Sequence, residues 1–325
     1  MLSRARITKL LAIGAMGIVA LAGLAFRAQG QQRNDSKPSV AAKTIPAKAA
    51  ESATDPNTSE VAKTLKAAAE AVGLARWSGV GGQKLPEVDV VNTMELWASG
   101  TTYGLGQPSK PGEPLTALNT EVHVALGYNP PAMRLEMTCT NPGAPAQGGA
   151  APIHTIQVVR ENYAWDESEI GAGLVPGKGT ATPTMAAVNN RLLRLWILPY
   201  GVIKAALAAG DKTKLSTENG ATVLTFPLSK PFADVMVKAT LDAQNMVARV
   251  ETRTDNPKLG GMLTETEYSD YADHGEIATD IKSPGHIVHK QNGHPVLDIH
   301  VKMWDANNPY LVFPVPENVK KAAAQ

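Results

Sequence analysis

A single cysteine, Cys139, stands in 325 residues, so no internal disulfide can form and stability must come from a packed core. It lies in an alternating run with Met133, Leu135 and Met137, where a buried, inert thiol is expected. No cysteine follows the apolar run near the start of the chain, which excludes lipid attachment there. No Arg-Arg pair occurs either, which favours export in the unfolded state.

Charge of one sign is also lacking. Lys+Arg number 31 and Asp+Glu 30. Loss of residues 1–30 would remove Arg4, Arg6, Lys9 and Arg27 and no acid, leaving 27 basic against 30 acidic residues and a net charge of −3. That balance offers no polybasic footprint for nucleic acid or for anionic lipid.

Catalytic motifs are missing in turn. There is no G-x-S-x-G. The run Gly173-Leu174-Val175-Pro176-Gly177-Lys178-Gly179 departs from a phosphate loop in spacing and lacks the Ser/Thr after its lysine, so it reads as a glycine loop. Glu265 and Glu267 share one strand face, which is expected to be the solvent face. No acid, base and pocket assemble, so the expectation is a protein that is not an enzyme and takes no cofactor.

What is present begins with an export signal. Arg4, Arg6 and Lys9 precede an apolar run from Leu10 to Phe26, and Ala28-Gln29-Gly30 supplies small residues at a peptidase site. Residues 1–30 therefore read as a signal peptide cleaved before Gln31, engaging the export machinery and placing the protein in the periplasm or outside the cell. Gly14, Gly17 and Gly23 weaken the alternative of an uncleaved anchor. Residues 31–58 hold hardly any large apolar side chain and read as a disordered tether.

Order is expected from Ser59 to about 320, with 321–325 as a tail. Val61, Leu65, Ala68 and Val72 mark one helical face that Gly73 can end. Period-two patterning then predicts strands at 88–105, 117–127, 132–140 and 153–166, with Pro/Gly loops at 107–114 and 141–152. Met185, Val188, Leu192 and Trp196 form a helical stripe broken at Pro199, and a second short helix runs to Ala209. Further strands are expected at 221–228, 233–242, 245–254, 262–271, 277–289 and 295–304. Asn292-Gly293 is a strong hairpin signal, and Asp242-Ala243-Gln244-Asn245 links another pair. The pattern predicts an α+β domain: one large curved antiparallel sheet with an N-terminal helix and a mid-chain helix pair on its concave face. A pure sandwich is the alternative.

Five of the seven histidines, His274, His286, His289, His294 and His300, crowd into the C-terminal part. With a two-residue turn at Asn292-Gly293, His289, Asp298 and His300 share one face and His286 takes the other. His289 and His300 are then about 13 Å apart at ~3.4 Å per residue. That is too far for one ion, so solvated histidines and no metal are expected. The apolar inventory suggests a cavity between sheet and helices lined by Leu192, Trp196, Ile203, Leu207, Val235, Val237, Val250, Leu297 and Ile299. The competing reading of each is plain core.

The segment from Val122 to Trp165, with YNPPAMRLEMT and IQVVRENYAW, resembles the LolA-like periplasmic lipoprotein-carrier superfamily. The stretch DAQNMVARVETRTDNPKLGGMLTETEYSDYADHGEIATDIKSPGHIVHKQNGHPVLDIHV is similar to the end of such domains. It is more similar still to the module that precedes metallo-β-lactamase-fold domains in some secreted bacterial proteins. The resemblance implies a half-open barrel closing over a lipid. The hydrolase signature H-x-H-x-D-H is absent, and Tyr128-Asn129 stands where carriers place a basic residue before Pro130. The expected function is an exported, non-catalytic binding module for a lipophilic ligand, an acyl chain or lipoprotein lipid. The alternative is a periplasmic scaffold whose partner is a separate hydrolase.

Overall fold

The computed structural model describes residues 56–74, 91–104, 116–142, 151–232, 234–254, 262–273 and 281–324. The expected signal peptide, nearly all of the expected tether, most of the two Pro/Gly loops, His274 and the start of the strand expected at 277–289 lie outside the described residues.

Helix α1 (Pro56–Ala71) buries Val61, Leu65 and Ala68, and Val72 just past its end is buried with them, the face expected from their spacing. The chain then folds back and forth as β1 (Thr93–Tyr103), β2 (Ala117–Tyr128), β3 (Pro131–Thr140), β4 (Ile153–Arg160), β5 (Tyr163–Glu167) and β6 (Ala181–Pro183). Helices α2 (Val188–Ile197) and α3 (Pro199–Ala209) follow. A second meander contains β7 (Lys214–Glu218), β8 (Ala221–Pro227), β9 (Met236–Leu241), β10 (Val247–Thr254) and β11 (Met262–Ser269). A small separate ribbon pairs β12 (Ala272–Asp273) with β13 (Lys282–Ser283). Strand β14 (His286–Gln291) adds to β11, β15 (His294–Ala306) adds to β14, and α4 (Glu317–Ala323) ends the described chain.

Because β15 also pairs with β1, the two meanders fuse into one antiparallel sheet of 13 strands, ordered β6-β5-β4-β3-β2-β1-β15-β14-β11-β10-β9-β8-β7. The protein is thus α+β on a single sheet, and the sandwich alternative drops out. The sheet does not close; β6 and β7 are its two edges.

Local chemistry explains most of the turns. Asn292 (φ 48°) and Gly293 (φ 82°) both take the left-handed conformation that a tight hairpin requires. At the other legible turn the Asp242 carboxylate accepts from the Gln244 and Met246 amides at 2.8 and 2.9 Å. The run at 153–166 is a hairpin, turned at Glu161 (φ 50°).

The two sheet faces differ. One carries α1, α2 and α3 over the main core, whose contributors include Leu96, Leu126, Phe226, Val237 and Ile299. On this side α2 packs on β3, β4 and β5, while α3 packs on β8. The other face is covered over β2–β6 by the C-terminal segment, where Phe313 and Val319 pack with Ile156, Val158 and Trp165. Buried Glu167 beneath it is satisfied by Trp165 Nε1 (2.9 Å), the Gly171 amide (2.9 Å) and Arg134 (3.5 Å). Farther along this face runs a ladder of ion pairs. Lys238 bridges Glu218 and Glu251, Arg249 bridges Glu251 and Glu265, and Lys290 bridges Glu265 and Glu267. Glu265 and Glu267 therefore stand on the solvent face, as their alternation predicted. Cys139 is buried.

Candidate functional site

The helix-covered face gathers all nine expected cavity residues. Leu192, Ile203, Val235, Val237, Val250 and Ile299 are buried in the main core, and Trp196, Leu207 and Leu297 pack against it half-buried. Leu192, Trp196, Ile203 and Leu207 belong to an elbow in which the helical segments 185–197 and 199–212 meet at 94°, and the other five come from the sheet side. Pro199 causes the break: it has no amide hydrogen to donate and holds Leu198 extended at ψ 151°.

Aromatic contacts hold the elbow down. Trp196 meets the Tyr128 ring at 5.9 Å, and Tyr200 stacks on Trp304 at 6.2 Å. The Tyr268 hydroxyl donates to the Ile197 carbonyl at 2.8 Å, capping the end of α2, and the Tyr200 hydroxyl donates to the Lys282 carbonyl. Burial raises the hydroxyl pKa of Tyr128, Tyr200, Tyr268 and Tyr271 well above the ordinary value, so all four stay neutral.

Two arginines on α2 enter this otherwise greasy layer. Arg191 donates to the Val158 and Trp165 carbonyls (2.9 and 2.6 Å) and to Asp166 (2.5 Å). Arg194 donates to Gln157 Oε1 at 3.0 Å. Among the described residues no carboxylate lies within ion-pair distance of Arg194. Burial, and then the like charge of Arg191, lower its pKa to about 10. Neither arginine was singled out from the sequence; the signal was a basic residue at every third position, Arg191 and Arg194, inside an apolar helical stripe.

His289 also points into this layer. Its Nδ1 lies 2.9 Å from the Thr266 hydroxyl, and burial, followed by the nearby Arg194 charge, lowers its pKa to about 4. The folded protein therefore resists protonation that the unfolded chain accepts near pH 6.5. Stability from this group is complete above pH 6.5 and declines as pH falls toward 4. At pH 5 the loss is about 2 kcal/mol. Urea denaturation of wild type and His289→Gln at pH 7.5 and pH 5 checks this. The variant should lose less stability than wild type over that interval; equal losses would place the titration elsewhere.

This placement of His289 overturns the face assignment expected from the sequence. The turn begins as expected, with Gln291 opposite His294 and Lys290 opposite Pro295, but His289 then faces Leu297. Val296 is an extra residue, a bulge that slips the register by one and exchanges the faces of Leu297 through Val301, before a second irregularity at Lys302 shifts the register again. His286 thereby joins Asp298 and His300 on the solvent side, and His289 leaves them. Pro295 was the available signal, since proline inside a strand pattern marks a bulge or an edge. One ligand atom from each of His286, Asp298 and His300 now lies within 4.8 Å of the others, so the distance argument against a metal no longer applies.

A second histidine group lies on the same outer face. His123 stacks on Trp97 at 4.7 Å and approaches Glu95 (3.3 Å) and Glu136 (3.6 Å), and His154 meets Glu136 at 2.8 Å. No protein-family model matches this chain, and no curated protein sequence matches it either.

Proposed function

We propose that this protein is an exported, non-catalytic binding module that takes a lipophilic ligand, an acyl chain or the lipid of a lipoprotein, between its sheet and the α2–α3 elbow. The observation that carries the reading is topological: the elbow is the connection between the two opposite edges of the sheet, β6 and β7. Laid flat, 13 strands would separate those edges by about 58 Å, at ~4.8 Å per strand. The two helical segments, bent by 94°, reach only about 28 Å at ~1.5 Å rise per residue. The linking residues Thr184, Leu198 and Thr213 add about 10 Å at most. A sheet bridged by so short a strap must curl toward it, which favours the half-open barrel of the carrier resemblance over a flat platform.

Inside that curl the apolar side chains of both arms face one another. Six of the nine gathered residues are already buried, so a ligand enters by displacing the elbow, with Leu198-Pro199 as the pivot. Trp196, Leu207 and Leu297 are the half-buried rim that it meets first. Arg194, a desolvated cation lacking a carboxylate partner among the described residues, suits the acidic head of an amphiphile.

Native mass spectrometry of the purified chain, followed by titration with a fluorescent fatty acid, tests the reading. The expected results are a co-purifying lipid or uptake of one equivalent of probe. Trp196→Ala is expected to weaken probe affinity by about ten-fold, equivalent to ~1.4 kcal/mol of buried aromatic contact. A clean apo spectrum together with no probe uptake sinks the proposal.

A further inference from the structure

The outer face of the hairpin formed by β14 and β15 carries a grouping that ligand binding on the opposite face leaves unexplained. His286 stands directly across from His300, and their rings stack at 4.2 Å with planes 10° apart. Asp298, diagonal to His286, places Oδ1 2.7 Å from its Nε2. Among the described residues His286 is the only ion-pair partner of Asp298. The flanking strands contribute only small hydroxyl neighbours at the paired positions: Ser269 beside His286, and Ser99 beside His300. No lysine or arginine occupies those paired positions.

We infer that His286, Asp298 and His300 form a binding site for one divalent transition-metal ion of the zinc class. Two imidazole nitrogens and one carboxylate oxygen suit a borderline ion, whereas calcium and magnesium favour all-oxygen shells. The donor separations are close to what such an ion needs, and the two stacked imidazoles must also tilt out of parallel so that their in-plane lone pairs aim at one point. Bonds of about 2.1 Å in a tetrahedron put donor atoms about 3.4 Å apart. The His286–Asp298 contact at 2.7 Å must open by about 0.7 Å to reach that separation. The widest separation in the group, at most 4.8 Å, must close by about 1.4 Å.

Both changes are side-chain rotations at the solvent surface, because β14 and β15 are interior strands held on each side by β11 and β1. His286 and Asp298 are partly exposed and His300 is exposed, so an ion can enter without unfolding. Three protein donors leave at least one coordination position for water. The ion would tie β14 to β15 just beyond the Val296 bulge, where the ladder is interrupted.

Zinc titration of the chelator-treated, purified chain tests this, read by calorimetry and by histidine resonances in NMR. One equivalent should bind, with saturation below about 100 µM zinc, and the His286 and His300 signals should shift together. His300→Ala and Asp298→Asn should each weaken binding by about ten-fold or more, with circular dichroism confirming that both variants remain folded. His294→Ala, an exposed residue outside the group, should bind as wild type does. No saturable binding up to about 1 mM zinc overturns the assignment. So does undiminished binding in His300→Ala, or binding that is lost instead in His154→Ala. None of these readouts depends on whether a lipophilic ligand occupies the opposite face.

Discussion

Gly201→Ala is expected to destabilise the protein by about 3 kcal/mol, although alanine in an open helix interior is favoured over glycine by about 1 kcal/mol. The reversal of sign comes from the elbow. Gly201 sits in the first turn of α3, packed against the last turn of α2. A Cβ there would overlap the Leu195 carbonyl oxygen and lie 2.9 Å from both the Leu195 carbonyl carbon and the Trp196 Cα. These are backbone atoms, which cannot rotate aside as a flexible side chain could. The 94° bend would have to open, and Tyr200 and Trp196 would then lose their partners on β15 and β2. Thermal unfolding should fall by about 6–12 °C, given roughly 2–4 °C per kcal/mol for a domain of this size. An unchanged or higher midpoint would mean that the two helices do not approach as closely as described. If the elbow is also the ligand gate, Gly201→Ala should speed probe entry even where it lowers stability.

The second large effect is expected at Arg191, and it is asymmetric. Arg191→Met should cost about 3 kcal/mol, whereas Asp166→Asn should cost less than about 1 kcal/mol. A simple ion pair would lose similar amounts from either side. Here the arginine is 5 % exposed and also donates to the carbonyls of Val158 and Trp165. Methionine would leave those acceptors without their donor inside the core. The Asp166 side chain is 47 % exposed, so water can replace what the asparagine loses. Burial lowers the Arg191 pKa and Asp166 only partly restores it, in keeping with a guanidinium held mainly by carbonyls. Urea unfolding of the two variants decides the matter. Equal losses would show that the carboxylate anchors α2, and that the two carbonyl contacts add little.

Much of the architecture was readable from local pattern. The buried face of α1, the strand runs of both meanders, the break at Pro199 and the turn at Asn292-Gly293 each follow from side-chain spacing or from one residue's backbone preference. Features with weak local signatures were missed. β6 is three residues long, β7 exposes four of its five residues, and α4 is a seven-residue helix stabilised by burying Val319 against the far sheet face. The nine apolar residues singled out from the sequence belong to one core or pack against it, because amphipathic faces on elements that pack together must share an interior. Arg191 and Arg194 escaped notice because their roles depend on carbonyl and amide groups more than 25 positions away.

The same division separates what the chain order and composition specify from what folding in three dimensions adds. Element types, their approximate bounds and the scarcity of catalytic motifs depend on neighbours within a few residues, and those are written directly in the sequence. Which face a side chain occupies depends on strand register, and register answers to partners far away. One bulged residue, Val296, exchanged His289 for His286 on the solvent side, turning an unremarkable row of histidines into a three-donor cluster. The pairing of β15 with β1, which makes one sheet of two meanders, is likewise a contact between chain segments about 200 residues apart. No periodicity in either strand announces it, because long-range pairing is selected by how the whole interior fits together.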